Sequence, residues 1–157
     1  MAMMTLQDVA DRIEIDDLIT RYATALDAKD WDRWASCFTG DATIDYSAAG
    51  GIAGPVAEVR QWLAEVMAGF PMTQHLVTNR EVQISGDAAT CRSCLFNPMG
   101  VHDADGMVLF FEGGYYRDRL VRTVDGWRIA ARVEEPTYST RLHRVVLRAL
   151  ETRPASA

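Results

Sequence analysis

The sequence predicts a single α+β domain, in which a few helices cover one face of a sheet of long strands. In the first part of the chain, apolar residues recur at three- to five-residue steps, a spacing typical of amphipathic helices. From Met72 onward the spacing becomes two, as in half-buried strands. Tight turns are indicated by Gly86-Asp87 and Asp125-Gly126, and strands joined by such short turns must be antiparallel.

Two helices are expected at the start of the chain. The first, over roughly residues 5–27, has one apolar stripe with acidic side chains between its members. Asp30 occupies an N-cap position, and Trp31 and Phe38 follow at helical spacing, so a second short helix should extend to about Phe38. Gly40 should end this second helix.

A short strand and a third helix should follow. Residues Ala42–Tyr46 alternate as in a strand, and the glycine-rich segment 47–54 is expected to form a loop. Pro55 suits the first turn of a helix, and Gly69 and Pro71 should close that helix.

Four long strands and a C-terminal helix complete the prediction. The strands are expected at about residues 72–84, 88–99, 107–123 and 126–138. The segment Arg141–Leu150 has an arginine-rich side and an apolar side, as in a helix that docks on the domain. One domain over residues 1–157 accounts for the chain, with a core at about residues 5–138 and a tail over 139–157.

Composition and charge argue against several classes of function. The 157 residues include 22 acidic and 16 basic side chains, and the resulting net charge of −6 does not attract phosphate backbones, so nucleic-acid binding is not expected. The longest apolar run, Met107–Phe111, is too short to cross a membrane. Cys37, Cys91 and Cys94 fit no disulfide framework, which suits a cytoplasmic protein. Cys91 and Cys94 should face opposite sides of a strand, so no zinc site is expected.

His75 is the histidine best suited to catalysis. Of the three histidines, only His75 falls inside a predicted strand, where it should share a face with Val77 and Asn79. A buried imidazole needs a partner for its second nitrogen and can act as an acid or a base. A core histidine with satisfied hydrogen bonds is the alternative interpretation. His102, in a predicted loop, and His143, in the tail, are expected to be exposed.

Asp27 is the most suitable partner for His75. It lies near the C-terminal end of the first predicted helix, where a carboxylate opposes the helix dipole and destabilises the helix unless another group compensates. Capping the next turn would be a structural role for Asp27, but Asp30 fills that role better. An Asp beside a neutral histidine fixes its tautomer and stabilises the imidazolium that forms when the ring takes up a proton. The pair Asp27 and His75 is therefore the candidate acid–base centre.

Further polar and aromatic side chains are candidates for binding or polarising a substrate. Tyr22 and Tyr46 could each donate a hydrogen bond to a substrate carbonyl, or could equally be core residues with a hydroxyl at the rim. Polar residues inside predicted strands must face solvent, a partner or a ligand. The remaining candidates for substrate contacts are Arg92, Asn97, Arg132 and the helix residue Trp31.

Several short segments carry a resemblance to a known family. They are Leu26-Asp27-Ala28-Lys29-Asp30-Trp31, Ile44-Asp45-Tyr46, Thr73-Gln74-His75, Thr78-Asn79, Gly114-x-Tyr116-x-Asp118 and Asp125-Gly126-Trp127-Arg128-Ile129. In this order they resemble the SnoaL-like branch of the nuclear transport factor 2-like (NTF2-like) superfamily, over about residues 5–138. Within it the chain is most similar to scytalone dehydratase, the bile acid 7α-dehydratases and hexachlorocyclohexane dehydrochlorinase.

The resemblance implies a cone-shaped α+β barrel of the NTF2-like, cystatin-like kind, in which a curved mixed sheet wraps around the long N-terminal helix and encloses an apolar pocket. It also implies an Asp-His dyad that works without a metal or an organic cofactor. By motif, the catalytic residues of the family fall on Asp27, His75, Tyr46 and Tyr22. The second active-site histidine of scytalone dehydratase has no counterpart here, since the sequence offers Asn97 or Met99 in that region, so a shared substrate is not implied.

These observations lead to a dehydratase-like lyase as the expected function. The substrate would be a small apolar cyclic molecule with a carbonyl group, and His75 would remove a proton α to it, with loss of water or another β-leaving group. A ketosteroid-isomerase-like or polyketide-cyclase-like enzyme would use the same dyad. A noncatalytic module, such as the β subunit of a ring-hydroxylating dioxygenase, is the alternative of another class, and it predicts Asp27 and His75 beyond hydrogen-bond reach. A homo-oligomer, either a trimer or a dimer, is expected because one sheet face would otherwise stay exposed.

Overall fold

Residues 4–104 and 106–141, which the computed structural model describes, form three α-helices, one short 3₁₀-helix and seven β-strands. The helices are α1 (Leu6–Ala28), α2 (Trp31–Ala35) and α3 (Val56–Met67), and the 3₁₀-helix is Ser47–Ala49. The strands are β1 (Phe38–Asp45), β2 (Ala53–Pro55), β3 (Met72–Thr73), β4 (Leu76–Ser85), β5 (Ala88–Asp103), β6 (Gly106–Thr123) and β7 (Gly126–Arg141).

The strands belong to one curved, mixed sheet. Along the sheet the order is β2-β1-β7-β6-β5-β3, and β4 also pairs with β5. Every pairing between described strands is antiparallel except that of β1 with β7, which is parallel. The α+β class and the mixed sheet around an N-terminal helix are therefore confirmed.

Helix α1 packs its apolar face against the sheet. Thr5 begins the helix with a capping box, in which its hydroxyl accepts a hydrogen bond from the Asp8 amide and the Asp8 carboxylate accepts one from the Thr5 amide. Asp11, which is buried, accepts hydrogen bonds from Arg122 on β6 (2.6 and 2.7 Å) and from Trp127 on β7 (3.2 Å). The hydrogen bonds from Arg122 hold the pKa of Asp11 well below its usual range. These contacts fix the helix against both strands. The main apolar residues of the buried face are Ile15, Leu18, Ile19, Tyr22 and Leu26.

A buried ion pair lies in the core where α1, β6 and β7 meet. The side chains of Arg132 on β7 and Asp118 on β6 are fully buried, and the Asp118 carboxylate accepts two hydrogen bonds of 2.7 Å from the Arg132 guanidinium. The guanidinium carbon also lies 3.9 Å from the ring centre of Tyr22 and 4.2 Å from that of Tyr116. The pair therefore supports the aromatic side chains that lie above it.

Strand β1 begins where the second helix was expected to continue. Helix α2 ends at Ala35, and both Phe38 and Gly40 lie in β1, so the predicted helix end was wrong. Phe38 pairs with Ile129 of β7, and the Ile129 amide donates a hydrogen bond to the Cys37 carbonyl. The apolar spacing around Phe38 carries no information about this distant partner strand, which is why the local pattern favoured a helix.

The other boundaries in the first half of the chain lie close to the predictions. Asp30 caps α2, and its carboxylate accepts a hydrogen bond of 3.0 Å from the Arg33 amide. Pro55 is the N-cap residue of α3, which ends at Met67. The segment 47–54 is more regular than a loop, since it contains the 3₁₀-helix and its last residues pair with β1 as part of β2.

The strand expected at residues 72–84 is interrupted at Gln74 and His75. The Gln74 amide donates to the Pro98 carbonyl of β5 at 3.0 Å, but the His75 amide donates to the Asp27 carboxylate of α1 at 2.9 Å. His75 therefore lies between β3 and β4 and not inside a strand. The prediction was wrong here because a helix side chain takes the backbone hydrogen bond that a sheet neighbour would otherwise accept.

A second irregularity in this region is centred on Asn79. Its φ of 49° lies in the left-handed region, and the register of β4 with β5 shifts around it. As a result the inward-facing residues change from Val77 before the bulge to Val82 after it. Asn79 itself is exposed, so the prediction that it shares a face with His75 was wrong.

The remaining expectations concern His102, the C-terminal tail and membrane spans. His102 lies in β5 and not in a loop, and its side chain is exposed as expected. His143 and the predicted helix beyond Arg141 lie outside the described residues. None of the helices in residues 4–104 and 106–141 has the length and apolar character needed to cross a membrane.

Replacing Asn79 tests the left-handed bulge. Asn79→Val places a β-branched residue at a positive φ, which is expected to lower the free energy of unfolding by about 1–2 kcal/mol. Asn79→Gly adopts the same φ without strain, and its expected change is below about 0.5 kcal/mol. Urea denaturation measures both variants, and equal stability of the two would contradict this backbone conformation.

Removing the charges of the buried ion pair tests its contribution to stability. Asp118→Leu leaves the Arg132 guanidinium buried without its carboxylate, and the expected loss is roughly 3–5 kcal/mol. The double variant Asp118→Leu, Arg132→Met removes both charges and is expected to regain most of that loss. Chemical denaturation compares the variants. A double variant that is no more stable than Asp118→Leu would show that the unpaired charge is not the cause.

Candidate active site

The candidate acid–base centre lies where the end of α1 meets the break between β3 and β4. Asp27, in the last turn of α1, accepts a hydrogen bond of 2.9 Å from the Thr73 hydroxyl and another of 2.9 Å from the His75 amide. The Asp27 carboxylate also lies 2.6 Å from Nδ1 of the His75 ring. The interruption of the strand makes the His75 amide available for this contact. The two residues that the sequence predicted as a pair are thus in direct contact.

These hydrogen bonds compensate for a carboxylate at the C-terminal end of a helix. Partial burial raises the pKa of Asp27, but the hydrogen bonds and charge of the His75 ring, together with the His75 amide and Thr73, outweigh it and hold the pKa below its ordinary value. Asp27 is therefore ionised at neutral pH. Helix α1 has no basic side chain in its last turn, so the hydrogen bonds from Thr73 and His75 are what stabilise the Asp27 carboxylate there.

The two nitrogens of the His75 ring have different neighbours. Ionised Asp27 can only accept hydrogen bonds, so we assign the proton of the neutral ring to Nδ1. Nε2 then carries a lone pair and lies 3.0 Å from the side-chain nitrogen of Asn97. Asn97 is buried, and its Oδ1 has no hydrogen-bond partner among the described residues. Rotation of the amide would bring Oδ1 to a protonated Nε2, so Asn97 can serve both protonation states of the ring.

His75 and Asn97 line a cavity of about 190 Å³ between α1, α3 and the sheet. Gly51 also lines it, and a Cβ atom at this position would lie 2.8 Å from the Trp62 ring and 2.9 Å from the Tyr46 Cβ. Only glycine therefore allows the segment before β2 to approach so closely. None of the described residues lining the cavity is Lys or Arg, so its wall offers no cationic side chain to an anionic ligand. Much of the wall is apolar and includes Leu26, Leu63, Met67, Phe70, Leu95 and Phe110.

Tyr22 and Tyr46 lie side by side in the cavity wall, with their phenol oxygens 2.7 Å apart. Both side chains are buried, and burial raises the pKa of Tyr46 well above its ordinary value, so this phenol keeps its proton at neutral pH. One hydroxyl donates to the other, which leaves the pair one hydroxyl proton for a ligand. The pair can therefore donate one hydrogen bond to a molecule bound in the cavity.

Two carboxyl groups that the sequence did not point to also line the cavity. Glu112 on β6 is half-buried, and burial raises its pKa. Glu134 on β7 is half-buried as well, and burial, followed by the charge of Glu112, raises its pKa to about 7. Strand β6 carries the consecutive apolar residues Phe110 and Phe111 just before Glu112. Its alternation is therefore too irregular to indicate which way Glu112 points.

Three of the predicted substrate contacts lie away from the cavity. Arg132 is held by Asp118 behind the tyrosines. Arg92 lines a groove on the other face of the sheet and stacks on the Tyr115 ring at 3.5 Å. Trp31 packs against the core outside the cavity wall. Within the described ranges, no group of three or more His, Cys, Asp or Glu side chains is placed to hold a metal ion. The predicted residues that the structure brings together are Asp27, His75, Asn97, Tyr22 and Tyr46.

Solved structures with the same fold include several named as enzymes. A candidate aromatic ring hydroxylase from Novosphingobium aromaticivorans has a TM-score of 0.76 at 28% identity, over 85% of this chain and 94% of that chain. A candidate scytalone dehydratase from the same species has a TM-score of 0.76 at 20% identity, over 87% and 90% of the two chains. A hexachlorocyclohexane dehydrochlorinase of type 2 has a TM-score of 0.77 at 20% identity, over 88% and 93%. At these lower identities, the last two likenesses show the fold alone.

Sequence comparison gives the family. An uncharacterized protein of Mycobacterium tuberculosis strain H37Rv is 42% identical over 133 residues, which are 85% of this chain and 90% of that protein. The family model described as the SnoaL-like domain matches residues 7–133. This span contains Asp27, His75, Asn97 and both tyrosines of the cavity. The chain is therefore a member of the SnoaL-like family, within the NTF2-like superfamily.

Proposed function

We propose that this protein is a lyase of the dehydratase type, which eliminates water or another leaving group from a small, neutral, cyclic carbonyl compound. The observation that carries the proposal is the state of the His75 ring. Asp27 holds Nδ1 at 2.6 Å, and the lone pair of Nε2 lies beside Asn97 at the cavity wall. The Asn97 side-chain amide donates a hydrogen bond to this lone pair, and when that contact is released Nε2 can take a proton from a bound molecule.

In the proposed reaction, Nε2 of His75 removes a proton from the carbon next to the carbonyl group. Asp27 stabilises the imidazolium that forms, and the Tyr22–Tyr46 pair donates a hydrogen bond to the carbonyl oxygen as it becomes an enolate. The enolate electrons then form the carbon–carbon double bond and expel the group on the β-carbon. Water or an anion leaves, and a conjugated ketone remains.

The names of proteins with the same fold support an elimination as the type of reaction, but they do not identify the substrate. The names of two proteins of this fold, a candidate scytalone dehydratase and a hexachlorocyclohexane dehydrochlorinase, denote the loss of water and of hydrogen chloride. The name of a third, a candidate aromatic ring hydroxylase, denotes another reaction. Because one fold supports several chemistries, the assignment depends on the side chains of the cavity and not on the fold.

Two alternative functions predict different properties of the same site. An isomerase or cyclase would use the same base and the same tyrosines but would expel no group. A noncatalytic binding module predicts Asp27 and His75 out of hydrogen-bond reach, and their contact of 2.6 Å argues against it.

Substitution of the dyad tests the base. With β-hydroxycyclohexanone as the substrate, His75→Gln and Asp27→Asn are each expected to lower kcat/KM for release of conjugated cyclohexenone by about 10²–10⁴-fold. Ultraviolet absorbance of the enone measures the rate. His102→Gln, which changes an exposed histidine of β5, is the matched control and should keep full activity. Full activity in both dyad variants would refute the proposal.

The mass of the product separates the lyase from the isomerase in the same assay. β-Hydroxycyclohexanone loses water when it forms the enone, whereas a β,γ-unsaturated cyclohexenone reaches the same enone with no change of mass. Turnover of the unsaturated ketone alone, detected by mass spectrometry, would favour an isomerase over the proposed lyase.

Removing the phenol of Tyr46 tests the hydrogen bond to the carbonyl oxygen. Tyr46→Phe is expected to lower kcat by about 10²–10³-fold, because a donor to the developing oxyanion is lost. Tyr115→Phe, which changes a side chain on the other face of the sheet, is the control. A Tyr46→Phe variant with the kcat of the Tyr115→Phe control would exclude Tyr46 from this role.

A further inference from the structure

The wall of the cavity beyond Asn97 carries two carboxyl groups with defined neighbours in the sheet. Glu112 on β6 lies directly opposite Asn97 on β5, and Glu134 on β7 lies directly opposite Tyr116 on β6. Directly opposite residues have Cβ atoms about 5 Å apart. The side chains of His75, Asn97 and Glu112 therefore follow one another along the cavity wall.

Glu134 also has a neighbour on its other side, Tyr46. Asp45 of β1 pairs with Val133 of β7, and the residues that follow them, Tyr46 and Glu134, both line the cavity. The charge of Glu134 is one of the causes that raise the pKa of the Tyr46 phenol, as expected of near neighbours. Neighbouring strands lie about 5 Å apart. In a β-hydroxy ketone, the carbonyl oxygen and the β-oxygen are on carbons separated by one further carbon, so both can contact neighbouring side chains. With the carbonyl oxygen at Tyr46, the β-oxygen can reach Glu134.

Glu134 lies in surroundings that favour its neutral form. Burial and the negative charge of Glu112 raise its pKa to about 7, and Arg132 acts in the opposite direction. The Arg132 charge is offset by its two hydrogen bonds to Asp118. The cavity side of Glu134 also contains the His75 ring and the protonated phenol of Tyr46.

We propose that the carboxyl group of Glu134 is the acid that protonates the departing hydroxyl group, and that the substrate is accordingly a neutral β-hydroxy carbonyl compound. This assignment rests on the proposed elimination, and it adds the group that makes hydroxide leave as water. Hydroxide is a poor leaving group, so an acid at the β-oxygen is needed as much as a base at the α-carbon. Glu112 acts as a positioning residue, whose charge keeps the proton on Glu134.

Nε2 of His75 takes the α-proton, the electron pair of that C–H bond passes into the enolate and then forms the double bond, and the bond from the β-carbon to oxygen breaks. The oxygen leaves with its electron pair and the proton of Glu134, as one water molecule. His75 is then protonated and Glu134 ionised, and solvent returns one proton from the first to the second. Glu134 and Glu112 also line a second depression of about 280 Å³ beside Ala48 and Ala49, which gives solvent access to them.

Carbon-13 labelling of the glutamate carboxyl groups tests the protonation state without any substrate. In NMR titrations of the full-length protein, one carboxyl signal is expected to titrate near neutral pH and to be absent in Glu134→Gln. In Glu112→Gln its midpoint should move to lower pH, because the like charge is gone. Glu135→Gln is the matched control on the same strand, since its carboxyl pairs with Arg117 and does not line the cavity. If every glutamate of the protein titrates in its ordinary range, the acid assignment is overturned.

A pair of ketones that differ only in the leaving group tests the role in turnover. β-Hydroxycyclohexanone and β-acetoxycyclohexanone give the same enone, but acetate leaves without a proton. Glu134→Gln is expected to lower kcat for the hydroxy ketone at least tenfold more than for the acetoxy ketone, and Glu135→Gln should change neither rate. Turnover of the hydroxy ketone should also fall as pH rises through the titration of Glu134, and Glu112→Gln should shift that fall to lower pH.

The outcomes separate the two proposals. If the wild-type protein converts both ketones and Glu134→Gln slows both equally or neither, the elimination stands and the acid role of Glu134 is overturned. If the wild-type protein converts neither ketone, the proposed elimination fails, and the acid role fails with it whatever the titration shows.

Discussion

The site depends on one carboxylate that binds the same residue twice. Asp27 accepts the backbone N–H of His75 through one oxygen and contacts its ring through the other. A side chain held at two points has little freedom to rotate, so the direction of Nε2 follows from the position of α1. The backbone hydrogen bond has a structural cost, because β3 and β4 cannot continue through His75 as one strand. The break in the sheet and the orientation of the base are thus a single feature.

Acidic and basic side chains are distributed unevenly around the Asp27–His75 pair. The groups at the cavity are carboxyl groups, an imidazole and phenols, while the nearest buried cation, Arg132, lies behind the tyrosine rings and is paired with Asp118. In a partly buried space, each carboxyl group shifts the protonation of its neighbours because little solvent screens it. The pKa can shift in either direction. Hydrogen bonds lower the pKa of Asp27, whereas burial raises the pKa of Glu134. One site can therefore contain an ionised carboxylate, behind His75, and a protonated carboxyl group, in the cavity wall, at the same pH.

Features that depend on nearby residues were predictable from the sequence, and features that depend on distant partners were not. The cap at Asp30, the turn at Asp125-Gly126 and the long first helix each follow from local chemistry. The unfavourable place of Asp27 on its helix, together with the family resemblance, pointed to the dyad. In contrast, the end of α2 and the bulge at Asn79 are decided by pairing with other strands. The direction of Glu112 likewise follows from its pairing with Asn97 on β5.

The parallel pairing of β1 with β7 has a consequence for the way the protein is made. Strand β1 leaves the ribosome early, but its partner β7 contains the last residues of the described fold, Gly126–Arg141. A contact between such distant segments forms late, because closing a long loop is entropically costly. Until translation reaches β7, the apolar face of α1 lacks part of the sheet that covers it. Nascent chains of this protein are therefore expected to need chaperones that shield this apolar face. Fragments that end before Gly126 are expected to aggregate.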